Sequence, residues 1–397
     1  MTIDRVEHIL SRVRTLPALP TVVYRLLKLV ESPMSTATDL SEVISKDQAL
    51  TARILRLVNS SFYALRCEVV RVSHAIALLG FVAIKNLALG LGVIDMFGRG
   101  REGGELDGPA FWEHSLSCAT AARLIAERVR FAPAEEAFVA GLLHDIGKLV
   151  LHDHFRAELD TALRVARDEA MALPVAERLV FKTDHAAVGE ALAEHWRLPQ
   201  SLRAAIGGHH RVNDQDRLIN IVYLANFISN VKRLGAGGDV ALEPADEALW
   251  PALGLNEASV IRLQGRLAPE VGKARVFLGL SNVPQRGPAE QLERDLTSSR
   301  RILIIEERRS TVSPLELLLL DEGHTTARAT DPETRDAVAA DIVLLDFSPN
   351  GLERGHAVAA QIEQRVGMQR PVVLLPAPRR ASDVLDAVQT AISRALV

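Results

Sequence analysis

Residues 141–148 read GLLHDIGK and place His144 and Asp145 side by side at the end of an apolar run. Neighbouring helix positions point about 100° apart, so both side chains address one metal ion only where local geometry or a bridging water brings them together. Lys148 is suited either to contact a phosphate or to pair with Asp145. The histidine–aspartate doublet alone is a weak indication of a site.

Further histidines surround this segment in an ordered set. His114 lies upstream, and His185 and the pair His209-His210 lie downstream, all in segments with helical patterning. A single histidine on an apolar helix face is usually a packed core residue. Imidazoles accompanied by one carboxylate also suit Zn, Fe, Mn or Ni, and such a site can activate water against a phosphoester. The order of the set favours the metal interpretation.

The composition limits the classes of function. Of 397 residues, 48% are apolar and 24% are charged, and the length predicts two or three domains. A formal net charge of −4 leaves little positive field for a phosphate backbone and disfavours a nucleic-acid role. Cys67 and Cys118 are too few for a disulfide framework and predict a reducing, cytoplasmic setting.

The amino terminus and the most apolar window predict no membrane segment. The first twenty residues interleave charged with apolar residues and lack the apolar stretch of a signal peptide. Residues 75–97 are long enough for a span, but Lys85 and Asn86 at their centre would be costly in hydrocarbon. We therefore expect two buried helices with a break near Gly80.

The chain changes character after about residue 280. Up to that point apolar residues recur every three or four positions and predict a large all-α block. Residues 281–300 are polar, contain two prolines and a glycine, and predict a linker. Over residues 301–397 short apolar runs alternate with helical segments, which predicts a small doubly wound α/β domain with a parallel sheet. The runs are residues 302–305, 341–346 and 371–375.

Acidic residues follow two of these runs. Glu306 and Glu307 come after the first, and Asp346 ends a later one. Ligands of parallel sheets bind at the carboxyl ends of the strands, where three carboxylates would suit Mg²⁺ and an aspartate can accept a phosphoryl group. Acids at strand ends are also common surface residues, so both interpretations stay open.

The ordered histidine set resembles the HD superfamily of metal-dependent phosphohydrolases, and most closely its HDOD (HD-related output) domains. The similarity covers roughly residues 10–235 and includes further motifs. These motifs are LPALP at 16–20, VISKD at 43–47, LRLVNS at 55–60, AIALLG at 75–80, FWEHS at 111–115, and DHAAVG at 184–189 ahead of Trp196.

The resemblance implies a bacterial signalling module, an all-helical bundle with an N-terminal part over 1–110 and an HD-like part over 111–280. Such modules act through protein contacts and are generally regarded as lacking phosphohydrolase activity. The resemblance also implies a site for Fe, Zn or Mn. Its ligand positions would be His114, His144, Asp145, His185, His209 and His210.

Two departures from catalytic relatives stand out. Catalytic HD domains close the metal site with a further aspartate, where this sequence has Asn226, a neutral and poorer ligand. The related HD-GYP phosphodiesterases carry an acid and a Gly-Tyr-Pro loop after the double histidine. Here Arg211 follows His210, and the loop is missing.

The C-terminal region resembles response-regulator receiver domains. Asp346 followed by PNGL at 349–352 is similar to the phosphoacceptor strand and loop, and Glu306-Glu307 stands where that family has its acidic pair. Pro376-Ala377 occupies the place of the switch threonine or serine, and Arg379-Arg380 precedes the last helix without a Lys-Pro. The resemblance implies a shortened, degenerate receiver-like domain with a doubtful Mg²⁺ site.

These observations predict a cytoplasmic bacterial signalling protein with a non-hydrolytic HDOD module, modulated by a receiver-like domain. One alternative is a metal-dependent phosphohydrolase of cyclic dinucleotides or nucleotides, with Lys148 near the phosphate. Another is an effector that binds cyclic di-GMP or a nucleotide without turnover. The partners would be signalling proteins, and a homodimer is plausible through residues 75–97 or 382–397.

Overall fold

In the computed structural model, the described residues are 8–9, 11–12, 21–31, 34–97, 104–279, 299–307, 309–334, 336–348, 351–366, 370–375 and 379–395. The predicted linker over 281–300 lies outside them except for its last two residues. So do the motif at 16–20, Pro349-Asn350 and Pro376-Ala377.

The N-terminal helices form one end of the helical block. Thr36 caps α2 with a reciprocal capping box to Asp39, and the Asp47 side chain caps α3, which sets where both helices begin. The expected break at Gly80 is confirmed, since one helix ends at Leu79 and the next starts at Phe81. The helices are α1 Thr21–Glu31, α2 Ala37–Ser45, α3 Gln48–Val58, α4 Val72–Leu79 and α5 Phe81–Phe97. No helix in the described part of the chain is long and apolar enough to span a membrane.

The remaining helices surround the histidines and continue the same apolar core. Their bounds are α6 Gly108–Arg128, α7 Ala134–Leu143, α8 Ile146–His154, α9 Arg156–Asp168, α10 Leu173–Phe181, α11 His185–His195, α12 Gln200–Gly208, α13 Arg217–Lys232, α14 Leu249–Leu253 and α15 Glu257–Leu278. Glycines allow the closest approaches. A Cβ on Gly141 would lie 2.7 Å from the Cys118 carbonyl oxygen, and one on Gly147 only 1.9 Å from that of His185. These contacts hold α7 against α6 and α8 against α11.

The C-terminal region contains a four-stranded parallel sheet in the order β2-β1-β3-β4, so the predicted doubly wound class is confirmed. One sheet face, with Ile304 and Leu344, joins the core of the helical block, and the opposite face packs on α18 through Val358 and Ile362. The elements are β1 Arg301–Glu306, α16 Pro314–Asp321, β2 Thr325–Ala329, α17 Asp336–Ala339, β3 Ile342–Asp346, α18 Leu352–Val366, β4 Val372–Leu375 and α19 Ala381–Ala395.

Polar contacts also join the sheet region to the helical block. Gln264 of α15 donates a hydrogen bond to the Leu317 carbonyl of α16 at 2.8 Å. Lys232, at the end of α13, forms an ion pair with Asp321. The backbone N–H of Leu242 donates to the Arg379 carbonyl at 2.9 Å. The two regions are therefore docked through α13, α15 and the segment after α13.

Candidate metal centre

The junction between α7 and α8 brings the His144 and Asp145 side chains together. His144 is the residue after the last turn of α7, and Asp145 leaves helical geometry with φ −98° and ψ 10° before α8 begins. This interruption overcomes the divergence of adjacent helical positions. The Nε2 atom of His144 lies 3.3 Å from Oδ2 of Asp145, and both side chains are fully buried.

Asp145 lies at the centre of the predicted set. Its Oδ2 atom faces Nε2 of His114 at 3.7 Å as well as His144. Its Oδ1 atom faces Nε2 of His185 at 3.1 Å and Nε2 of His209 at 3.5 Å. The one carboxylate is therefore shared between two groups of histidines, one at each oxygen.

His210 completes the second group. Its Nε2 atom lies 2.9 Å from Nε2 of His185, which in turn lies 3.4 Å from Nε2 of His209. His185 begins α11, and His209-His210 follow α12, whose packing against α11 brings them together. The structure thus assembles every predicted histidine of the set around Asp145.

Three of the imidazoles are oriented through their Nδ1 atoms. Nδ1 of His144 donates to the Gly141 carbonyl at 2.8 Å, and Nδ1 of His209 donates to the Ile206 carbonyl at 2.7 Å. Nδ1 of His185 contacts the Glu177 carboxylate at 2.6 Å. Such partners fix the ring so that Nε2 points inward, the arrangement typical of metal-ligating histidines.

The ionisation states favour a cation at this site. Burial lowers the pKa of His209 to about 3, so its ring is neutral at physiological pH. Because a carbonyl only accepts, Nδ1 carries the proton, and the Nε2 lone pair faces Oδ1 of Asp145. That oxygen and Nε2 of His144 have no hydrogen-bond partner among the described residues. Two facing lone-pair atoms repel each other unless a cation lies between them, so these residues fit a divalent metal ion.

The charge on His185 depends on its neighbours. Burial lowers its pKa, but the carboxylates of Glu177 and Asp145 outweigh this and raise it to about 9. Sequence reasoning missed Glu177, which is fully buried and also accepts the His185 backbone N–H at 2.8 Å. Its place on the preceding helix gave no periodic signal for this contact.

Lys148 pairs with the central carboxylate. Its Nζ atom donates to Oδ2 of Asp145 at 2.6 Å and to the Gly237 carbonyl at 2.7 Å, and its side chain is 2% exposed. Gly237 also covers His114, since a Cβ there would lie 2.7 Å from the ring. The sequence left Lys148 either to contact a phosphate or to pair with Asp145, and in the structure it pairs with Asp145.

Asn226 and Cys118 lie beside His114. Oδ1 of Asn226 accepts from Asn230 at 3.1 Å and lies 3.8 Å from Sγ of Cys118, which is itself 3.5 Å from Nε2 of His114. Sequence reasoning did not assign Cys118 to the site. Its spacing of four residues from His114, which places both on one helix face, was an available signal.

A cavity of about 510 Å³ adjoins this centre. Its wall includes His210, Asn226, Arg178, Arg211 and Tyr223. Asp145 and the other histidines of the set are not in that wall as the described residues form it, so the cavity meets the metal centre at one side only.

The acidic strand ends contact arginine and serine side chains, and the predicted Mg²⁺ site stays a prediction. Register places Glu306 of β1 opposite Asp346 of β3, as the sequence predicted. Glu306, however, accepts a 2.8 Å contact from Arg328, and Asp346 pairs with Arg379. Glu307 accepts from the backbone and hydroxyl of Ser348. Arginines supply the positive charge that the sequence interpretation gave to Mg²⁺.

The helical bundle with one buried aspartate ringed by histidines defines a protein of the HD class. Residues 16–212 match the HDOD domain model, and the chain belongs to the HDOD family.

The chain is also similar to solved structures and to one curated relative. The chain is similar to an HDOD domain protein of unknown function from Geobacter sulfurreducens, with 27% identity, a TM-score of 0.54, and coverage of 70% of this chain and 98% of that one. A proposed signal transduction protein from Marinobacter aquaeolei VT8 shares the fold at 23% identity and a TM-score of 0.55, covering 70% and 65%. An uncharacterized protein of Treponema pallidum is 25% identical over 224 residues, or 55% of this chain. The match spans only 43% of the length of that relative.

Proposed function

We propose that this chain is a cytoplasmic bacterial signalling protein whose HDOD module acts through protein contacts without hydrolysing a substrate. In this proposal the histidine–aspartate cluster holds a divalent metal ion, Fe, Zn or Mn, in a structural or sensory role. The closure of the cluster carries the proposal. Lys148 and the Gly237 backbone lie against Asp145 and His114. The side chains of Asp145, His114 and Lys148 are each at most 2% exposed.

The burial of the central carboxylate supports a role without hydrolysis. A hydrolytic centre needs an open coordination position for water or substrate. Here Lys148 occupies one face of Asp145, and Asn226 contributes no negative charge near His114. A metal ion, when bound, supplies positive charge between the carboxylate and the imidazoles. The imidazoles that would bind the ion are oriented by the carbonyls of Gly141 and Ile206 and by the carboxylate of Glu177.

The segment 234–245, which we term the strap, supports modulation by the C-terminal domain. At one end the Gly237 carbonyl accepts from Lys148. At the other end Leu242 donates to the Arg379 carbonyl, and the Arg379 guanidinium pairs with Asp346. We propose that the receiver-like domain acts on the metal centre through the strap, because one continuous chain segment joins the two ion pairs.

A hydrolysis assay tests the proposal. The full chain, loaded in turn with Mn²⁺, Fe²⁺ or Zn²⁺, is incubated with bis(p-nitrophenyl) phosphate and with cyclic di-GMP. We expect no turnover above the metal-only blank. Robust hydrolysis that His144→Ala and Asp145→Ala abolish would overturn the proposal.

The cavity beside the centre favours a second candidate, a nucleotide-binding effector or residual phosphohydrolase. The wall includes Arg211 and also Arg178, whose guanidinium is paired with Asp184 at 2.6 Å. Arginine side chains suit phosphate oxygens. Calorimetry with cyclic di-GMP separates this candidate from the first. Heat of binding that Arg211→Ala removes would favour the effector, and absence of heat at high micromolar ligand would count against it.

Self-association stays a prediction. The predicted surface over residues 75–97 includes Leu78 and Val82, which are 44% and 41% exposed. Sedimentation velocity of the full chain checks it, and a profile with only monomer would remove it.

A further inference from the structure

Cys118 lies within the half of the centre that contains His114 and His144. The Sγ atom is fully buried, and the three donor atoms of these residues lie within 4.8 Å of one another. Cys118 follows His114 by one helical turn on α6, so the rigid helix fixes the spacing between thiol and imidazole. The other cysteine, Cys67, is exposed.

Two of the separations among these groups match the edges of a metal site. Zinc bonds of about 2.3 Å to sulfur and about 2.0–2.1 Å to nitrogen imply, for a tetrahedral site, a sulfur-to-nitrogen edge of about 3.6 Å. The distance from Sγ of Cys118 to Nε2 of His114 is 3.5 Å. The same reasoning gives a nitrogen-to-oxygen edge of about 3.4 Å, and Nε2 of His144 lies 3.3 Å from Asp145 Oδ2.

A second observation also points to a ligand here. Nε2 of His144 is buried without a hydrogen-bond partner among the described residues, and it faces this space. A buried polar atom left unpaired is costly in free energy, so its presence here points to a bound partner. Its Nδ1 atom is already engaged by the Gly141 carbonyl.

The charges around His114 leave a role for the thiol. The negative charge of Asp145 is shared with the ammonium of Lys148 at 2.6 Å, and the amide of Asn226 is neutral. Neutral imidazoles add no charge. A divalent ion in this half therefore lacks anionic compensation unless Cys118 binds it as a thiolate.

We infer that Cys118 is a metal ligand together with His114, His144 and Asp145, and that its thiolate replaces the carboxylate missing at Asn226. This inference rests on the metal binding in the proposed function and deepens it. A thiolate with imidazoles selects soft or borderline ions, so the site prefers Zn²⁺, Fe²⁺ or Co²⁺ over Mn²⁺ and Mg²⁺.

Cobalt spectroscopy of the full chain tests the inference without measuring activity. Co²⁺ is added to metal-free wild type, Cys118→Ser and the matched control Cys67→Ser, and circular dichroism verifies the fold of each. We expect a thiolate-to-cobalt charge-transfer band in the wild type and in Cys67→Ser. Cys118→Ser should lose the band and bind Co²⁺ more than about tenfold more weakly, since even groups outside the coordination sphere are worth 10–100-fold.

The other outcomes are distinct. Visible cobalt bands without charge transfer in the wild type, or a band that survives Cys118→Ser, would overturn the inference and leave metal binding intact. Failure of the wild type to bind Co²⁺ or Zn²⁺ would overturn the metal part of the proposed function as well. X-ray absorption of zinc-loaded wild type decides the matter if Cys118→Ser does not fold. A sulfur neighbour near 2.3 Å supports the inference, and a shell of only nitrogen and oxygen refutes it.

Discussion

Replacing Arg328 with methionine should loosen the docking of the sheet domain on the helical block. Arg328 of β2 is 2% exposed and contacts Glu306 of β1, Glu316 of α16 and Glu257 at the start of α15. Its guanidinium also donates to the Ser310 carbonyl. Methionine fills much of the same space but leaves these carboxylates without their shared cation.

The structure sets the size of the effect. Removing one partner of a buried ion pair costs about 3–5 kcal/mol, and Glu306, whose side chain is 4% exposed, is such a partner. Glu257 is 33% exposed, so its share is at most about 1 kcal/mol. We therefore expect Arg328→Met to lower the free energy of unfolding by about 4 kcal/mol near neutral pH.

The loss should depend on pH through Glu316. Burial and the nearby carboxylate of Glu257 raise the pKa of Glu316 to about 7, above the ordinary 4.5. The folded state then binds more protons than the unfolded state between these values, so this group makes folding less favourable as pH rises from 4.5 through 7. Without Arg328 the ionised carboxylate of Glu316 loses its counter-charge. The substitution should therefore lower the free energy of unfolding more at about pH 8 than at about pH 5.5.

Urea unfolding followed by far-ultraviolet circular dichroism measures this difference. Arg301→Met is the matched control, because Arg301 forms an exposed pair with Asp341 and its loss should cost under about 1 kcal/mol. A cost for Arg328→Met below about 1 kcal/mol at pH 8, or equal costs at both pH values, would refute the reasoning.

Three further predictions concern the metal centre. Gly147→Ala should destabilise the protein by about 3 kcal/mol or more, because its Cβ would lie 1.9 Å from the His185 carbonyl oxygen. A Cβ on Gly265 would meet nothing within 4 Å, so the control Gly265→Ala should raise the free energy of unfolding by about 0.5–1 kcal/mol. Equal shifts of the melting temperature in the two variants would contradict this prediction. In metal-free protein, Glu177→Gln should lower the pKa of His185 from about 9, since burial then acts with less opposition. The stability supplied by the raised pKa of His185 is present below about pH 6.5 and is lost as pH rises through 9. An unchanged pKa of His185 in an NMR titration of Glu177→Gln would contradict this prediction. Chelation should lower the melting temperature of the wild type but not that of Asp145→Asn. Free metal at 100 times its Kd stabilises the folded state by about 2.7 kcal/mol. Equal shifts of the melting temperature in calorimetry would exclude the cluster as the metal site.

Part of the site could be read from the sequence because its signals are local. His144 and Asp145 are adjacent, and the order of the histidines is a property of the chain itself. Cys118 and Glu177 were not predicted as part of the site because neither is adjacent in the sequence to a histidine of the set. The contact between Glu177 and His185 arises from the packing of two helices. The contact between Cys118 and His114 lies within one helix, and its four-residue spacing was visible beforehand.

The sequence by itself determined the element types, since apolar periodicity and turn residues act over a few positions. It specified the helical block, the break at Gly80 and three of the four parallel strands, with Glu306 and Asp346 at the ends of two of them. The strand Thr325–Ala329 has no apolar run and was not predicted. Tertiary structure alone decided which groups those acids meet. Arg328 and Arg379 contact these acids from other elements of the fold. Local periodicity does not predict such contacts, because they depend on how distant elements pack.

The same distinction applies to the centre. The chain order of the histidines was legible, but their convergence on the two oxygens of Asp145 required three helix junctions to meet. Only the packed structure showed that Lys148 and Gly237 close over that carboxylate. Closure depends on residues far apart in the chain, and their relative positions are set by the burial of the whole core rather than by any local pattern.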